Sequence, residues 1–290
     1  MNEEVQSKEK KLPDEKVRFG GQEEQEIDQA QERIGDEVPV MAQVMPPTMP
    51  MIIVLGLIAM LSGVLVVLVY EYTSPIIVEK ERQALEAAVF QVVPGVDLKT
   101  ARQVAFFIDT EGKLIDYNRE TEAKAKKDRK EPFYAVYSSS SALLGIAMQG
   151  AAQGYQDVVR ILFGYHVDKQ QIVGMTVLKS VDTPGLGDKK TVEKNGKFMS
   201  NFNALDVSLT EDKSTIVHPI ETVKHGSKTE DWQVDAMSGA TITSRAIAKG
   251  INKTVDELLP LLVKHLVIIR SAGMQVRSGE TAQIEVEVKN

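Results

Sequence analysis

The stretch Asp235-Ala-Met-Ser-Gly-Ala-Thr241-Ile-Thr-Ser-Arg-Ala-Ile-Ala248 sets two small residues, Gly239 and Ala240, directly before the hydroxyl of Thr241. The run that follows predicts a helix capped by Thr243 or Ser244, whose side-chain oxygens suit the unpaired N–H groups of a helix start. Those N–H groups and the positive end of the helix dipole attract an anion without a lysine, and small side chains let backbone and phosphate come close. On these residues alone two readings stand: a phosphate seat, or a turn with a hydroxyl cap before a surface helix.

A second stretch, Asp182-Thr-Pro-Gly-Leu-Gly-Asp-Lys189, follows directly on an apolar run ending at Leu178. Pro184-Gly185 is a turn signal and Gly187 a second flexible point. Closely spaced N–H groups with the Thr183 hydroxyl are suited to line a flat ring system or to donate to its carbonyls, with Leu186 against one face; the alternative is an ordinary loop. Trp232, nine residues before Thr241, either stacks on such a ring or simply packs. Histidines 166, 218, 225 and 265 lack metal-ligand spacing, so they read as structural or exposed. No cysteine is present, which removes disulfides, zinc thiolates, iron–sulfur ligation and thiol nucleophiles together. No Ser-His-Asp pattern stands out.

These motifs are carried by a chain of 290 residues with net charge −7. Residues 1–50 hold twelve acidic and six basic side chains, so the tail accounts for −6 and the body is almost neutral. That balance leaves no electrostatic footprint for nucleic acid. The tail to about residue 40 has Phe19 as its one aromatic and too little apolar surface to offset the entropy of ordering, which predicts disorder. Prolines 46, 47 and 50 then break any helix ahead of Met51–Tyr70, a stretch without a charge. About 20 apolar residues cross ~30 Å of hydrocarbon as a helix, and a retained single anchor is the reading. Tyr70 and Tyr72 suit the interface.

Beyond Thr73-Ser-Pro75, Ile76–Phe90 predicts a second helix with Val78, Leu85, Ala88 and Val89 on one side. Strands are expected at 104–108, 114–117, 133–137, 142–148, 157–163 and 172–178, with Asn118–Lys130 as an exposed charged loop or frayed helix. Val192–Ser227 carries no legible chemistry. After Thr241, Ile247, Ile251, Val255 and Leu258 mark a buried helix face that Pro260 breaks or kinks, and Gln275–Val288 alternates like a short hairpin. The predicted organisation is a disordered acidic tail at 1–50, a transmembrane helix at 51–70, a helical connector at 71–98, a domain at 99–263 and an extension at 264–290, the tail being cytoplasmic in the orientation that the resemblance below implies.

Asp-x-x-Ser-Gly-Ala-Thr resembles the motif of the FMN-binding domains of Rnf-type G subunits and Nqr-type C subunits. Gly154-Tyr-Gln-Asp-Val-Val-Arg-Ile-Leu-Phe-Gly-Tyr165, Thr183-Pro-Gly-Leu-Gly-Asp-Lys189 and Val234 through Ser244 stand in the order and spacing of the Rnf G-subunit family. The likeness covers roughly residues 51–262 and favours the Rnf over the Nqr branch. Asp182 departs from it, since the family usually has glutamate there. The resemblance implies an α+β FMN-binding domain with one N-terminal transmembrane helix. It implies FMN held as a phosphoester on Thr241 by a flavin transferase, with Ser238, Gly239, Ala240, Asp235, Thr183, Gly185, Leu186 and Gly187 around it. It also implies an electron-carrying subunit that turns over no dissolved substrate alone, with other membrane and iron–sulfur subunits and membrane lipid as partners. The alternatives are an Nqr C subunit or a membrane-tethered sensor domain. Lys80 and Arg82 after the span would place the body in the cytoplasm; the resemblance places it on the outer face of the inner membrane, and that placement is adopted.

Overall fold

The computed structural model describes residues 48–97 and 99–278, and side-chain surroundings as far as Met274. The acidic tail up to residue 47 and the alternating segment after Ser278 lie outside the described residues. The chain divides into two compact units, one ending at Tyr70 and one beginning at Glu71.

Helix α1, Thr48–Val92, is a single element of 45 residues. Pro50 stands in its first turn, where a missing N–H leaves no bond unmade. From Met51 to Tyr70 the large apolar side chains are exposed on every side, without the polar face of a water-facing helix. This part is long and apolar enough to cross a membrane. The separate second helix predicted after Pro75 is not found, because α1 runs through that proline. Proline's φ near −65° is already helical, so the helix gives up one hydrogen bond and continues. Ala88, Val89 and Val92 are buried near its end, whereas Val78, expected on the buried side, is 61% exposed.

The second unit is built on an antiparallel sheet of seven strands in the order β2-β1-β3-β4-β5-β6-β7. They are β1 (Arg102–Ile108), β2 (Leu114–Asp116), β3 (Phe133–Tyr137), β4 (Leu143–Gln153), β5 (Val158–His166), β6 (Gln171–Lys179) and β7 (Leu205–Asp206). The central strands are apolar on both faces because both are covered. Phe133, Ala135, Tyr137, Ile146, Met148, Ile161, Phe163 and Tyr165 belong to a core shared with the long C-terminal helix. Tyr134, Val136, Ala147 and Leu162 point the other way, onto Ala88, Val89, Val92 and Val93. Covering the two faces removes the polar alternation that marks a half-solvated strand.

The C-terminal helix, Thr241–Ser278, packs Ile247, Ile251, Val255, Leu259 and Leu262 into that core. Pro260 lies inside it and does not end it, and Gln275–Ser278 are helical where the alternation predicts a hairpin. Burial on either side of Pro260 outweighs its lost bond, and the deeply buried residue is Leu259, with Leu258 only partly covered. The remaining elements are α2 (Glu122–Lys127), which joins β2 to β3, α3 (Lys189–Lys194), α4 (Gly196–Met199) and a 3-10 turn (Ser200–Phe202) between β6 and β7, and the short parallel pair β8 (Glu221–Val223) and β9 (Gln233–Asp235). The C-terminal helix is therefore α5. The charged segment 118–130 is thus partly helical, fixed by buried Ala125 and by Lys124 Nζ 3.0 Å from the buried carboxylate of Asp109.

Asp109 closes the β1–β2 turn. Burial alone would raise its pKa, but N–H donation from Lys113, the Lys124 ammonium and the N–H of Glu111 outweigh it and hold the pKa below the usual carboxylate value. A group whose pKa is depressed by folding contributes stability that is present above its unfolded value of about 4 and lost as pH falls through the lower folded value. Acid titration of thermal stability is therefore expected to fall less steeply below about pH 4 in Asp109→Asn than in the wild type.

Candidate functional site

Three connections meet at one end of the sheet. The first is the turn from β4 to β5, where Gly154 N–H donates to the Asp157 carbonyl at 2.9 Å. The second runs from β6 to α3. In it Leu186 and Gly187 N–H groups donate to Thr183 O, the Ser180 hydroxyl donates to Gly187 O, and Gly185, with φ +81°, donates its N–H to Asp188 Oδ1 at 2.8 Å. The Thr191 hydroxyl, opposed by burial and helped by the Gly185 N–H, draws the Asp188 pKa below its ordinary value. The third is the loop from β9 into α5.

In that third loop the helix begins at Thr241, so Thr243 and Ser244 lie inside its first turn and neither caps it from outside. Both side chains are turned inward. Ser244 Oγ donates to Ala240 O at 2.9 Å and accepts Met237 N–H at 3.0 Å, fastening the loop to the turn. Thr243 Oγ1 donates to Asp182 Oδ2 at 2.6 Å. Gly239 has φ +79°, a conformation that L side chains adopt only with strain.

Asp182 gathers the three connections. Its Oδ1 accepts the Gln156 N–H at 3.0 Å and its Oδ2 the Thr243 hydroxyl, and it is 4% exposed. Gly187 lies so close that an added Cβ would stand 2.2 Å from Thr243 Oγ1 and 3.0 Å from the carboxylate. The sequence does not mark Asp182 or Thr243 as a site residue. The one signal is the position of Asp182 at the head of the Thr183-Pro-Gly-Leu-Gly motif, where it stands out only as a departure from the family pattern.

The residues expected around Thr241 fall into two groups. Leu186, 47% exposed, has its Cδ2 3.4 Å from where a Cβ on Gly239 would be, so the Thr183–Gly187 loop and the Ser238–Thr241 loop adjoin. Ser238 and Gly239 are exposed, Thr241 half-buried and Ala240 buried. Asp235 lies at the end of β9 with its carboxylate turned away, accepting the Gly226 N–H at 2.6 Å with His225 Nδ1 3.5 Å off. Asn201 holds the backbone of Asp235 from both sides. Trp232 packs by stacking on His218, ring centroids 4.0 Å apart. A cleft of about 310 Å³ between β4 and α5, with Arg129, Arg160 and Lys253 on its wall, includes none of these residues.

Among the described residues, the N–H groups of Thr241, Ile242 and Thr243 and the hydroxyls of Ser238 and Thr241 donate to nothing. Donors without acceptors at the start of a 38-residue helix, beside a glycine with no Cβ, are a chemical match to a phosphate. Leu186 and Ile242, both exposed, give the surroundings an apolar surface for a ring system. The residues present therefore fit FMN.

Residues 154–256 match the FMN-binding domain family. The chain is 30% identical over 132 residues to a protein of Acetobacterium woodii named as the G subunit of a Na(+)-translocating ferredoxin:NAD(+) oxidoreductase complex, covering 44% of this chain and 57% of that one. It thus spans little more than half of that relative. With the G subunit of the ion-translocating oxidoreductase complex of Aliivibrio fischeri it shares 30% identity over 218 residues, covering 72% of this chain and 92% of that one. The crystal structure of Shewanella oneidensis NqrC aligns over 67% of this chain and 99% of its own with 18% identity and a TM-score of 0.48. By its FMN-binding domain and the near full-length match to the Aliivibrio protein, the chain belongs to the G subunits of Rnf-type ion-translocating oxidoreductase complexes.

Proposed function

We propose that this protein carries FMN joined through its phosphate to Thr241 Oγ1 and serves as a one-cofactor electron relay in an Rnf-type complex. That complex passes electrons between ferredoxin and NAD and couples the flow to ion translocation. The flavin supplies reversible one- and two-electron chemistry. The protein positions it beside the α5 start, with Ser238, Gly239 and Ala240 leaving space for the phosphate and Thr183, Gly185, Leu186 and Gly187 along the ring. Asp235 holds the base of the acceptor loop. The observation that carries this reading is the Thr241 hydroxyl, which has no partner among the described residues and is surrounded by N–H groups equally without one.

In the attachment, Thr241 Oγ1 forms a bond to phosphorus and loses its proton while the bond from phosphorus to the leaving group breaks. With a flavin adenine dinucleotide as donor, the leaving group is AMP. A flavin transferase performs this step, and the link removes any dissociation equilibrium from an exposed domain. The domain faces outward from the cytoplasm on its single anchor in membrane lipid, and its partners are the other membrane and iron–sulfur subunits.

The test is the mass of the peptide spanning Asp235 to Arg245, taken from cells that possess the transferase. The expected value exceeds the unmodified peptide by FMN less one water, with the fragment ions assigning the increment to Thr241. An unmodified peptide from a complex that passes electrons at the normal rate overturns the proposal.

A further inference from the structure

We infer that Asp182 is the positioning residue of the acceptor site, acting through Thr243 to fix the direction of the Thr241 hydroxyl; this rests on Thr241 being the flavin acceptor. A buried carboxylate without a cation is costly, and no ion pair reaches Asp182 among the described residues. It persists because both oxygens are used, one on the Gln156 N–H and one on the Thr243 hydroxyl. The carboxylate is boxed in by two glycines. A Cβ on Gly154 would lie 3.1 Å from Asp182 Oδ2, and one on Gly187 would meet both Thr243 Oγ1 and the carboxylate.

Helical geometry turns this clamp into an aiming device. Successive residues are about 100° apart around a helix, so positions 241 and 243 are separated by about 200° and point to nearly opposite sides. Holding Thr243 inward therefore fixes the rotation of the turn, and with it the direction of the half-buried Thr241 side chain between buried Ser244 and exposed Arg245. First turns are where helices fray, since their N–H groups have no partners in the helix. Asp182 supplies the missing restraint on the rotation of that turn, and Ser244 secures the loop before it. A hydroxyl held in the attacking direction reacts faster than one that must find it, and a displacement of about 1 Å can lower a rate ~100-fold.

The experiment follows flavin transfer to the full-length protein, co-expressed with the transferase, by fluorescence of the denatured band normalised to folded protein. Asp182→Ala and Thr243→Val are expected to slow loading roughly 10- to 100-fold. Asp182→Asn and Thr243→Ser are expected to stay near the wild-type rate. The asparagine oxygen still accepts the Gln156 N–H while its amide donates to the Thr243 oxygen, and serine keeps the hydroxyl. The double variant Asp182→Ala, Thr243→Val should be no slower than the slower single one, because both remove one interaction. Hydrogen exchange of residues 240–247, measured without flavin, should rise in Asp182→Ala and stay unchanged in Asp182→Asn. Wild-type loading in both Asp182→Ala and Thr243→Val, or equal slowing in Asp182→Asn and Asp182→Ala, overturns the inference. If the wild type itself takes up no flavin, the acceptor reading fails. The clamp is then decided by exchange alone, unchanged exchange in Asp182→Ala overturning it.

Discussion

Thr241→Ala is expected to leave a folded FMN-binding domain that carries no covalent flavin. The hydroxyl makes no hydrogen bond among the described residues, so its removal strands no buried partner. Alanine is also the best helix former at the first position of α5, and the change in stability should stay within about 0.5 kcal/mol. The chemical loss is total, because no other atom on that side chain can form the phosphoester. Fluorescence of the denatured protein on a gel falls to background, while the thermal transition stays within a few degrees of the wild type. Thr241→Ser retains an acceptor oxygen and should keep a fluorescent band. A band from Thr241→Ala as bright as that of the wild type would place the attachment elsewhere.

Gly164→Ala is expected to have the largest effect on stability. Gly164 on β5 pairs with Gly174 on β6, and the two form a notch in the sheet face for the last turn of α1. A Cβ on Gly164 would stand 2.0 Å from the carbonyl oxygen of Val92, and one on Gly174 2.5 Å from the same atom. The obstacle in both cases is backbone, which cannot swing aside as a flexible side chain can. Relief requires that the helix end lift from the sheet, which uncovers Ala88, Val89 and Val92 from Val136, Ala147 and Leu162. Overpacking usually costs 1–3 kcal/mol, and a clash of backbone against Cβ belongs at about 3 kcal/mol or above. For a domain near 200 residues that is a fall in melting temperature of roughly 6–12 °C. Trp232 fluorescence of the full-length protein in detergent reads the transition. Gly196→Ala, where nothing lies within 4 Å of the added Cβ, serves as the comparison and should melt near the wild type.

The membrane-length apolar helix and strands β1 to β6 were legible because their signals are local, whereas β7, β8 and β9, two or three residues each, are too short to leave one. An uncharged run of 20 residues can be counted, and runs such as Phe133–Tyr137 are branched and aromatic throughout. The prolines misled for the same reason. Pro75 and Pro260 are unfavourable in their own turns, but the turns on either side keep α1 and α5 continuous, and no count of local propensity includes the burial of Leu259 and Leu262. The capping expectation failed similarly. A threonine ahead of an apolar run is a good cap in isolation, yet Thr243 spends its hydroxyl on a carboxylate 61 residues earlier in the chain.

By itself the order of residues determined which side chains were available. It placed a hydroxyl after two small residues, a Pro-Gly-Leu-Gly loop, a membrane-length apolar helix and no thiol chemistry at all. Only the tertiary structure decided that the turn after Gly154, the loop from Asp182 and the start of α5 meet, and that Asp182 is the atom-level junction between them. The reason is that a hydrogen bond between residues far apart in the chain leaves no periodic trace in the sequence. It exists because the sheet brings the end of β4 and the loop after β6 beside α5, and burial there makes an unpaired carboxylate or hydroxyl too costly to leave without its partner.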